Sequence, residues 1–595
     1  MSGWPMSGWS SLLALIFALT LSPGSALAQT SRISLDDAIR GYESATHKAF
    51  RGVPEDWSTH HLSFSRPAPD SRAASAAEAD PRYWLQQIRQ AMSAGPVAST
   101  AFAKTSAAAA KIPIQRDWSM DLGANAKVGS GQFPAKFSFT ANGTPSCAAD
   151  FVVFNTGLAG SATQASILAY NQLYKTLCSP TVPATYWAYN TGGAIPLSPV
   201  LSLDGSQIAF VQTMGNVASL VVMKWAAGGT VSSPVTPSAS SSYPNCTAPC
   251  MISLTFDGSP NDKTSAPFYD YSGSDTLFIG DATGKLHQFH PVFDGPPAEV
   301  TTGGFPLKVS QDCQPLADPV YDAGLGMVFV GDGHAAEGSD DGEVHAITVS
   351  SAAVVNSAPV CQGPGFLEGP ILDPVAGELY FTCGHDVGRG ACTSANACLR
   401  QFGESTISGS SGAPEPLGAD FNCAVAPGAF DNIYLNSSDS RPTGNLYVCG
   451  NPGGVPTLYL VPVTNNVVGA PVAVATLANA DSWGYNACSP VTEFYNSVTA
   501  TDWMFVSVAA NGAQSACTST TGCIYSFNAT SPLASGATAT SGMSSAGGSS
   551  GIIVDNIGAA TDTTANIYFS TLGNQACATS GGTGGCAIQT SQNQL

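Results

Sequence analysis

Three observations predict an all-β fold, a β-propeller of about eight blades (seven possible) with a partly helical or disordered N-terminal arm. Only 10% of the residues are charged, whereas 62 of the 595 are Gly and 40 are Pro, a composition that suits many short strands joined by turns. A hairpin-like unit recurs at roughly 50–70 residues, the period expected of a repeat architecture. Cysteines stand at one phase of several copies, a regularity independent of the hydrophobic pattern.

Residues 1–28 carry the apolar run Leu12–Leu21 and end in Ser25-Ala-Leu-Ala28, a short hydrophobic core ahead of small residues at the positions read by signal peptidase. They predict a signal peptide cut after Ala28, although no Lys or Arg precedes the run. About ten apolar residues are too few for the roughly 20 that span a bilayer, so no transmembrane segment is expected after cleavage. The product is expected to be secreted or periplasmic. All 16 cysteines then meet an oxidising compartment in which thiols pair. Zinc ligation fits poorly, because the close pairs Cys246/Cys250, Cys392/Cys398, Cys517/Cys523 and Cys577/Cys586 repeat no C-x2-C spacing.

Residues 29–116 form the predicted arm. They contain the helical candidate Pro81–Met92, whose Trp84, Ile88 and Met92 make one apolar stripe able to dock on a larger body. Disorder is expected around Ser71–Asp80 and Ser99–Lys111. The formal charge of -20 is uneven: residues 29–118 hold 11 Lys and Arg against 9 Asp and Glu, leaving 10 against 32 in the rest. So acidic a body excludes nucleic acid as a partner.

Residues 117–595 form the predicted propeller. Its clearest repeats are Ser198–Gln212, Ala266–Gly280, Asp318–Gly331 and Gly369–Thr382. Each opens with a small residue and Pro, runs through a strand to an Asp/Ser/Gly turn and enters a second apolar strand, a hairpin signature. Third strands follow at Gly284–Phe289 and Gly342–Ile347, and weaker copies fall at 133–178, 426–463, 487–530 and 548–590. Sheets of this kind bury their faces by stacking around an axis. Seven blades plus an extra hairpin, or a sheet shared by the two chain ends, fit nearly as well; a β-helix is disfavoured because its coils are usually shorter. Cys392–Cys398, Cys517–Cys523 and Cys577–Cys586 are expected to staple the loop between third and fourth strands. Cys147/Cys178 and Cys246/Cys250 are read as similar pairs, and Cys313, Cys361, Cys383, Cys423, Cys449 and Cys488 as bridges between neighbouring blades with undetermined connectivity.

The run Phe278-Ile-Gly-Asp-Ala-Thr-Gly-Lys-Leu-His-Gln-Phe289 resembles repeats of the bacterial quinoprotein-like and YVTN-type propellers. That resemblance covers residues 117–592 and implies the fold. Quinoprotein dehydrogenases add a recurring docking Trp and often an adjacent Cys-Cys pair, and this chain has neither. Quinone-dependent oxidation is therefore not expected.

Candidate sites are sparse. The loop Asp332–Glu343 offers Asp332, Glu337, Asp340, Asp341 and Glu343 as hard oxygen ligands, which makes calcium the one cofactor to consider; a solvated acidic loop is the simpler reading. His287 and His345 share one phase of consecutive repeats, which favours a structural role. His385, Asp386 and Arg389 lie close together on one loop and are the catalytic candidates, since loops on a rigid scaffold often carry function. No nucleophile elbow, phosphate-binding loop or metalloprotease helix occurs in a suitable context. These features predict a binding or scaffold module for a protein, glycan or cell-surface partner, the alternative being a secreted hydrolase or lyase with its site at the channel mouth.

Overall fold

The computed structural model describes residues 33–92, 114–139, 145–175, 177–257, 265–310, 314–333, 342–362, 365–393, 396–419, 425–437, 441–480, 486–496, 499–555 and 566–591. Eight sheets of four or five strands form the blades of a propeller. Their innermost strands in chain order are Ala135–Ser138, Val200–Leu201, Phe268–Tyr269, Val320–Asp322, Ile371–Asp373, Ala429–Phe430, Thr492–Asn496 and Ile553–Asp555. The four hairpins read from the sequence are the inner two strands of blades 2, 3, 4 and 5. The weaker copies fall on blades 1, 6, 7 and 8.

Radial stacking follows from what each sheet must bury. Its second and third strands are apolar on both faces, as in Phe151–Asn155 and Gly444–Gly450, where every residue is buried. Phe151 and Trp187 of blade 1 share a core with Phe210 of blade 2. Equivalent cores join Phe278 to Val328 between blades 3 and 4, Tyr380 to Phe430 between blades 5 and 6, and Phe505 to Phe569 between blades 7 and 8. Each fully buried aliphatic or aromatic side chain contributes about 1.5–3 kcal/mol, so the ring is held together mainly by these interfaces. Gly280 and Gly331 end the second strands of blades 3 and 4 where the next connection crosses closely. A Cβ there would stand 2.5 Å from Leu316 and 2.6 Å from Phe366.

The two chain ends share the sheet of blade 8. Its outermost strand is Gln115–Gly123, paired antiparallel along Gly585–Ser591 from Gln115↔Ser591 to Gly123↔Gly585. Trp118 on this strand packs with Phe154 and Tyr170 of blade 1 and Tyr568 of blade 8. Behind it the buried Lys136 of blade 1 meets Asp555 of blade 8 at 3.0 Å.

Among the described residues seven disulfides are formed. Cys147–Cys178, Cys246–Cys250, Cys392–Cys398, Cys517–Cys523 and Cys577–Cys586 are the five close pairs. Cys361–Cys383 and Cys449–Cys488 each tie the connection between two blades to the second strand of one of them. Cys313 and Cys423 lie outside the described residues. The staples at Cys392–Cys398, Cys517–Cys523 and Cys577–Cys586 close the loop between second and third strands, not third and fourth, because Cys398, Cys523 and Cys586 lie on third strands. The stapled strand is not the last of its sheet, because Ala413–Ala419, Ser541–Ser544 and, from the far end of the chain, Gln115–Gly123 pair beyond it in blades 5, 7 and 8.

The arm is more ordered than its composition predicts. Helix α1 (Leu35–Thr46), helix α2 (Trp57–His61) and helix α3 (Arg72–Ala79) are each capped by a side chain, from Ser34, Asp56 and Ser71 respectively, which satisfies backbone donors that a helix start leaves open. Helix α4 spans Pro81–Met92. The Ser71–Asp80 stretch expected to be disordered is therefore α3, held because its small residues Ala74 and Ala77 are buried. Of the predicted stripe on α4, Ile88 is fully buried, whereas Trp84 covers Gly41 of α1. Residues 1–28 and 99–111 lie outside the described residues.

Candidate functional site

The predicted catalytic trio does not assemble. Asp386 is wholly buried and accepts both Nε and Nη2 of Arg400, each at 2.8 Å, together with the Gly388 N–H at 2.8 Å and the Arg389 N–H at 3.2 Å. Its oxygens are thus occupied by a buried cation and two backbone donors. Arg389 is exposed, and the Nδ1 of His385 has no hydrogen-bond partner among the described residues. Asp386 also lies within 4.8 Å of the Cys392 and Cys398 sulfurs, but those sulfurs are bonded to each other and offer no thiolate to a metal.

Asp386 instead belongs to a latch repeated in three consecutive blades. An acid following the second strand meets a cationic or imidazole side chain on the third. In blade 3 Asp281 stands 3.2 Å from His287, in blade 4 Asp332 stands 3.1 Å from His345, and in blade 5 Asp386 holds Arg400. The registers agree: His287 lies opposite Ile279, His345 opposite Val330 and Arg400 opposite Phe381. Burial works against the charged imidazoles, yet the carboxylates outweigh it. Asp281 and Glu299 raise the pKa of His287 above its usual value, and Asp332 does the same for His345.

The acidic loop places only its ends among the described residues. Asp332 accepts the Glu343 N–H at 2.6 Å through Oδ1 and faces His345 through Oδ2. Asp332 is thereby engaged in its blade. Glu337, Asp340 and Asp341 lie outside the described residues.

The richest polar constellation lies on the axis, where sequence reasoning placed nothing specific. The arm strand Val53–Glu55 pairs with Ala135–Ser138, extending blade 1 inward past its innermost strand. The Trp57 indole N–H donates to the Pro267 carbonyl at 2.9 Å. The Tyr271 hydroxyl donates to Asp56 at 2.5 Å, the Ser63 N–H to Leu372 O at 2.9 Å, and His60 Nε2 stands 2.6 Å from Val491 O. These partners belong to or adjoin the innermost strands of blades 1, 3, 5 and 7. A segment touching all four occupies the central channel. From α4, Arg82 grips Asp80, donates to the Tyr321 carbonyl at 2.7 Å and lies 3.9 Å from Asp270.

Between the arm and blades 6–8 and 1 lies a cavity of about 180 Å³. Glu55, His60 and Arg89 line it from the arm, and Phe430, Glu493 and Asp555 from the blades. Burial pushes the Glu55 carboxyl up to about 7, partly offset by Lys136 and Arg89. It pushes His60 down to about 4 and its neighbour His61 down to about 3. Glu493 and Asp502 form a carboxyl pair: burial raises both pKa values, Asp502 pushes that of Glu493 up further, and the Glu493 hydrogen bond partly offsets the rise at Asp502. Such a pair keeps a proton at neutral pH and both donates and accepts. Arg89 Nη1 and His60 Nδ1 have no hydrogen-bond partner among the described residues. The arm residues were missed because their partners are scattered over more than 400 positions; His60 and His61 on a short capped helix were the one local cue.

No family model matches the chain, and no curated protein matches it in sequence. Among solved structures it is similar to BamB from Moraxella catarrhalis, at 12% identity and TM-score 0.39, covering 81% of this chain and 98% of that one. It is also similar to Sqt1 from Saccharomyces cerevisiae, at 10% identity and TM-score 0.37, covering 81% and 98%. A third is the WD40 domain of Toxoplasma gondii coronin, at 7% identity and TM-score 0.34, covering 81% and 88%. All are propeller folds of distant geometry. No helix among the described residues is long and apolar enough to cross a membrane.

Proposed function

We propose that this chain is an exported binding scaffold, cleaved after Ala28, whose blade loops present a Ser/Thr/Asn/Gly-rich surface to a protein, glycan or cell-surface component. The observation that carries this reading is the channel: the place where propellers commonly hold substrates is filled by the protein's own arm, bonded to the inner strands of four blades. Recognition of a macromolecule is then left to the outer loops. The seven disulfides support residence in an oxidising compartment.

The axial polar groups favour a second reading, a hydrolase or lyase, because carboxyls with raised pKa values in a cavity are a common acid–base signature. Against it, His60 is committed to a backbone carbonyl and Asp555 to Lys136, so no base is poised on a nucleophile. One experiment separates the two. Mature protein is assayed for saturable binding to glycan arrays and surface extracts and for turnover of chromogenic esters and glycosides. Binding without turnover supports the scaffold; turnover abolished by Glu493→Gln overturns it. Native mass spectrometry with and without chelator reads calcium at the Asp332–Glu343 loop and the cleavage site in the same preparation.

A further inference from the structure

We propose that the axial cavity between the arm and blades 6–8 binds one small, neutral, polyhydroxylated molecule of monosaccharide size. This site is separate from the outer surface on which a macromolecular partner would sit.

Size comes first. At about 180 Å³ the cavity is below the roughly 300–1,000 Å³ that takes a drug-sized ligand, so one small molecule fills it.

Charge comes second. Glu55 and Asp555 line the cavity alongside Arg89. Asp555 is paired with Lys136, and Glu55 and Arg89 offset each other as opposite charges, so the lining offers little net attraction to an anion or a cation in return for the hydration either would give up. A neutral guest carries no such cost.

Hydrogen bonding comes third. Arg89 is a donor only, the Glu55 carboxylate an acceptor only, the neutral His60 imidazole, whose Nε2–H goes to the Val491 carbonyl, offers Nδ1 as an acceptor, and the Glu493 carboxyl can do both. Arg89 Nη1 and His60 Nδ1 have no hydrogen-bond partner among the described residues. A set of donors and acceptors this mixed matches hydroxyl groups, each of which gives one hydrogen bond and takes two. Phe430 and Ile553 supply an apolar wall for the C–H face of a sugar ring.

Because Glu55, His60 and Arg89 come from the arm while Phe430 and Glu493 come from the blades, a bound guest bridges the two bodies. Binding therefore stabilises the docked arm by mass action.

The test is saturation-transfer NMR on the full mature protein, with D-glucose and D-galactose as neutral probes and acetate and tetramethylammonium as charged ones. At least one hexose is expected to bind saturably at millimolar concentration, and neither ion. Glu55→Gln and Arg89→Met should each weaken that hexose about tenfold, the worth of one hydrogen bond to a charged group. Resistance of the arm to trypsin confirms that each variant keeps it docked, and Glu493→Leu serves where Arg89→Met does not. Binding of neither hexose to the folded protein, or binding of either ion as tight as the hexose, overturns the assignment. So does hexose binding unchanged in the variants, which would place the sugar on the outer loops and leave the scaffold reading intact.

Discussion

Asp386→Ala is the sharpest perturbation of the blade latch. Asp386 and Arg400 are both wholly buried and joined by two hydrogen bonds of 2.8 Å. Removing the carboxylate leaves a guanidinium among the carbonyls of Ser411 and Arg389 with no counter-charge, and breaking a buried pair in this way costs about 3–5 kcal/mol. The Gly388 and Arg389 N–H groups lose their acceptor as well, which adds about 1 kcal/mol. Arg400→Met should cost less, about 3 kcal/mol, because the carboxyl left behind keeps two backbone donors. With both residues replaced no unpaired charge remains, and the double variant should recover about 2–3 kcal/mol of the summed single costs. Urea unfolding followed by near-UV circular dichroism gives the three values, and hydrogen exchange in Glu378–Gly403 locates the loss. Single costs below about 1 kcal/mol, or additivity within about 0.5 kcal/mol, would refute the latch and return Asp386 to the catalytic candidates.

Other perturbations test the arm, the axis and the staples. Trp57→Ala removes a side chain that is 1% exposed and bonded to Pro267; it should cost about 3–5 kcal/mol and expose the arm to trypsin, which limited proteolysis would detect. His60 and His61 have folded pKa values lowered to about 4 and about 3, so the stability they contribute is present above pH 6.5 and is lost as pH falls from there toward 4. Glu55, raised to about 7, works the opposite way and loses stability as pH rises from its unfolded value of about 4.3 toward 7. Urea midpoints between pH 6.5 and 4 should therefore fall less steeply in His60→Gln/His61→Gln than in the parent, and equal slopes would count against the docked arm. Removing Cys147–Cys178, which spans 31 residues, should cost about 1 kcal/mol more than removing Cys517–Cys523, which spans 6, a ranking that paired Cys→Ser variants would check by urea midpoint.

What the sequence discloses tracks how local the physics is. Hairpins such as Ser198–Gln212 are legible because turn chemistry and strand alternation lie within 15 residues of each other. Helix α4 is legible for the same reason, and so are the short disulfide loops. Closure is not, since Gln115–Gly123 reads as an ordinary strand and its partner Gly585–Ser591 lies more than 450 residues away. The latch was half visible: His287 and His345 share a phase, but in blade 5 Arg400 replaces the imidazole and the acid slips three residues along its loop, so Asp386 looked singular beside His385. The axial cavity was invisible, because Glu55, Arg89 and Glu493 carry no signal until the fold brings them to one place.

The way the ring closes also constrains the order in which the molecule can be built. The channel filler at residues 33–92 precedes the closing strand at 115–123, which waits for the last strand before it has anything to pair with. Threading four helices and a strand into a finished ring would require the blades to part. The blades must instead gather around the filler, and residues 33–92 supplied afterwards as a separate peptide should not enter a closed ring, an outcome that size-exclusion chromatography would show. The N-terminal segment thus serves as the mandrel on which the ring is wound, and a protein that loses it during synthesis has no later opportunity to install it.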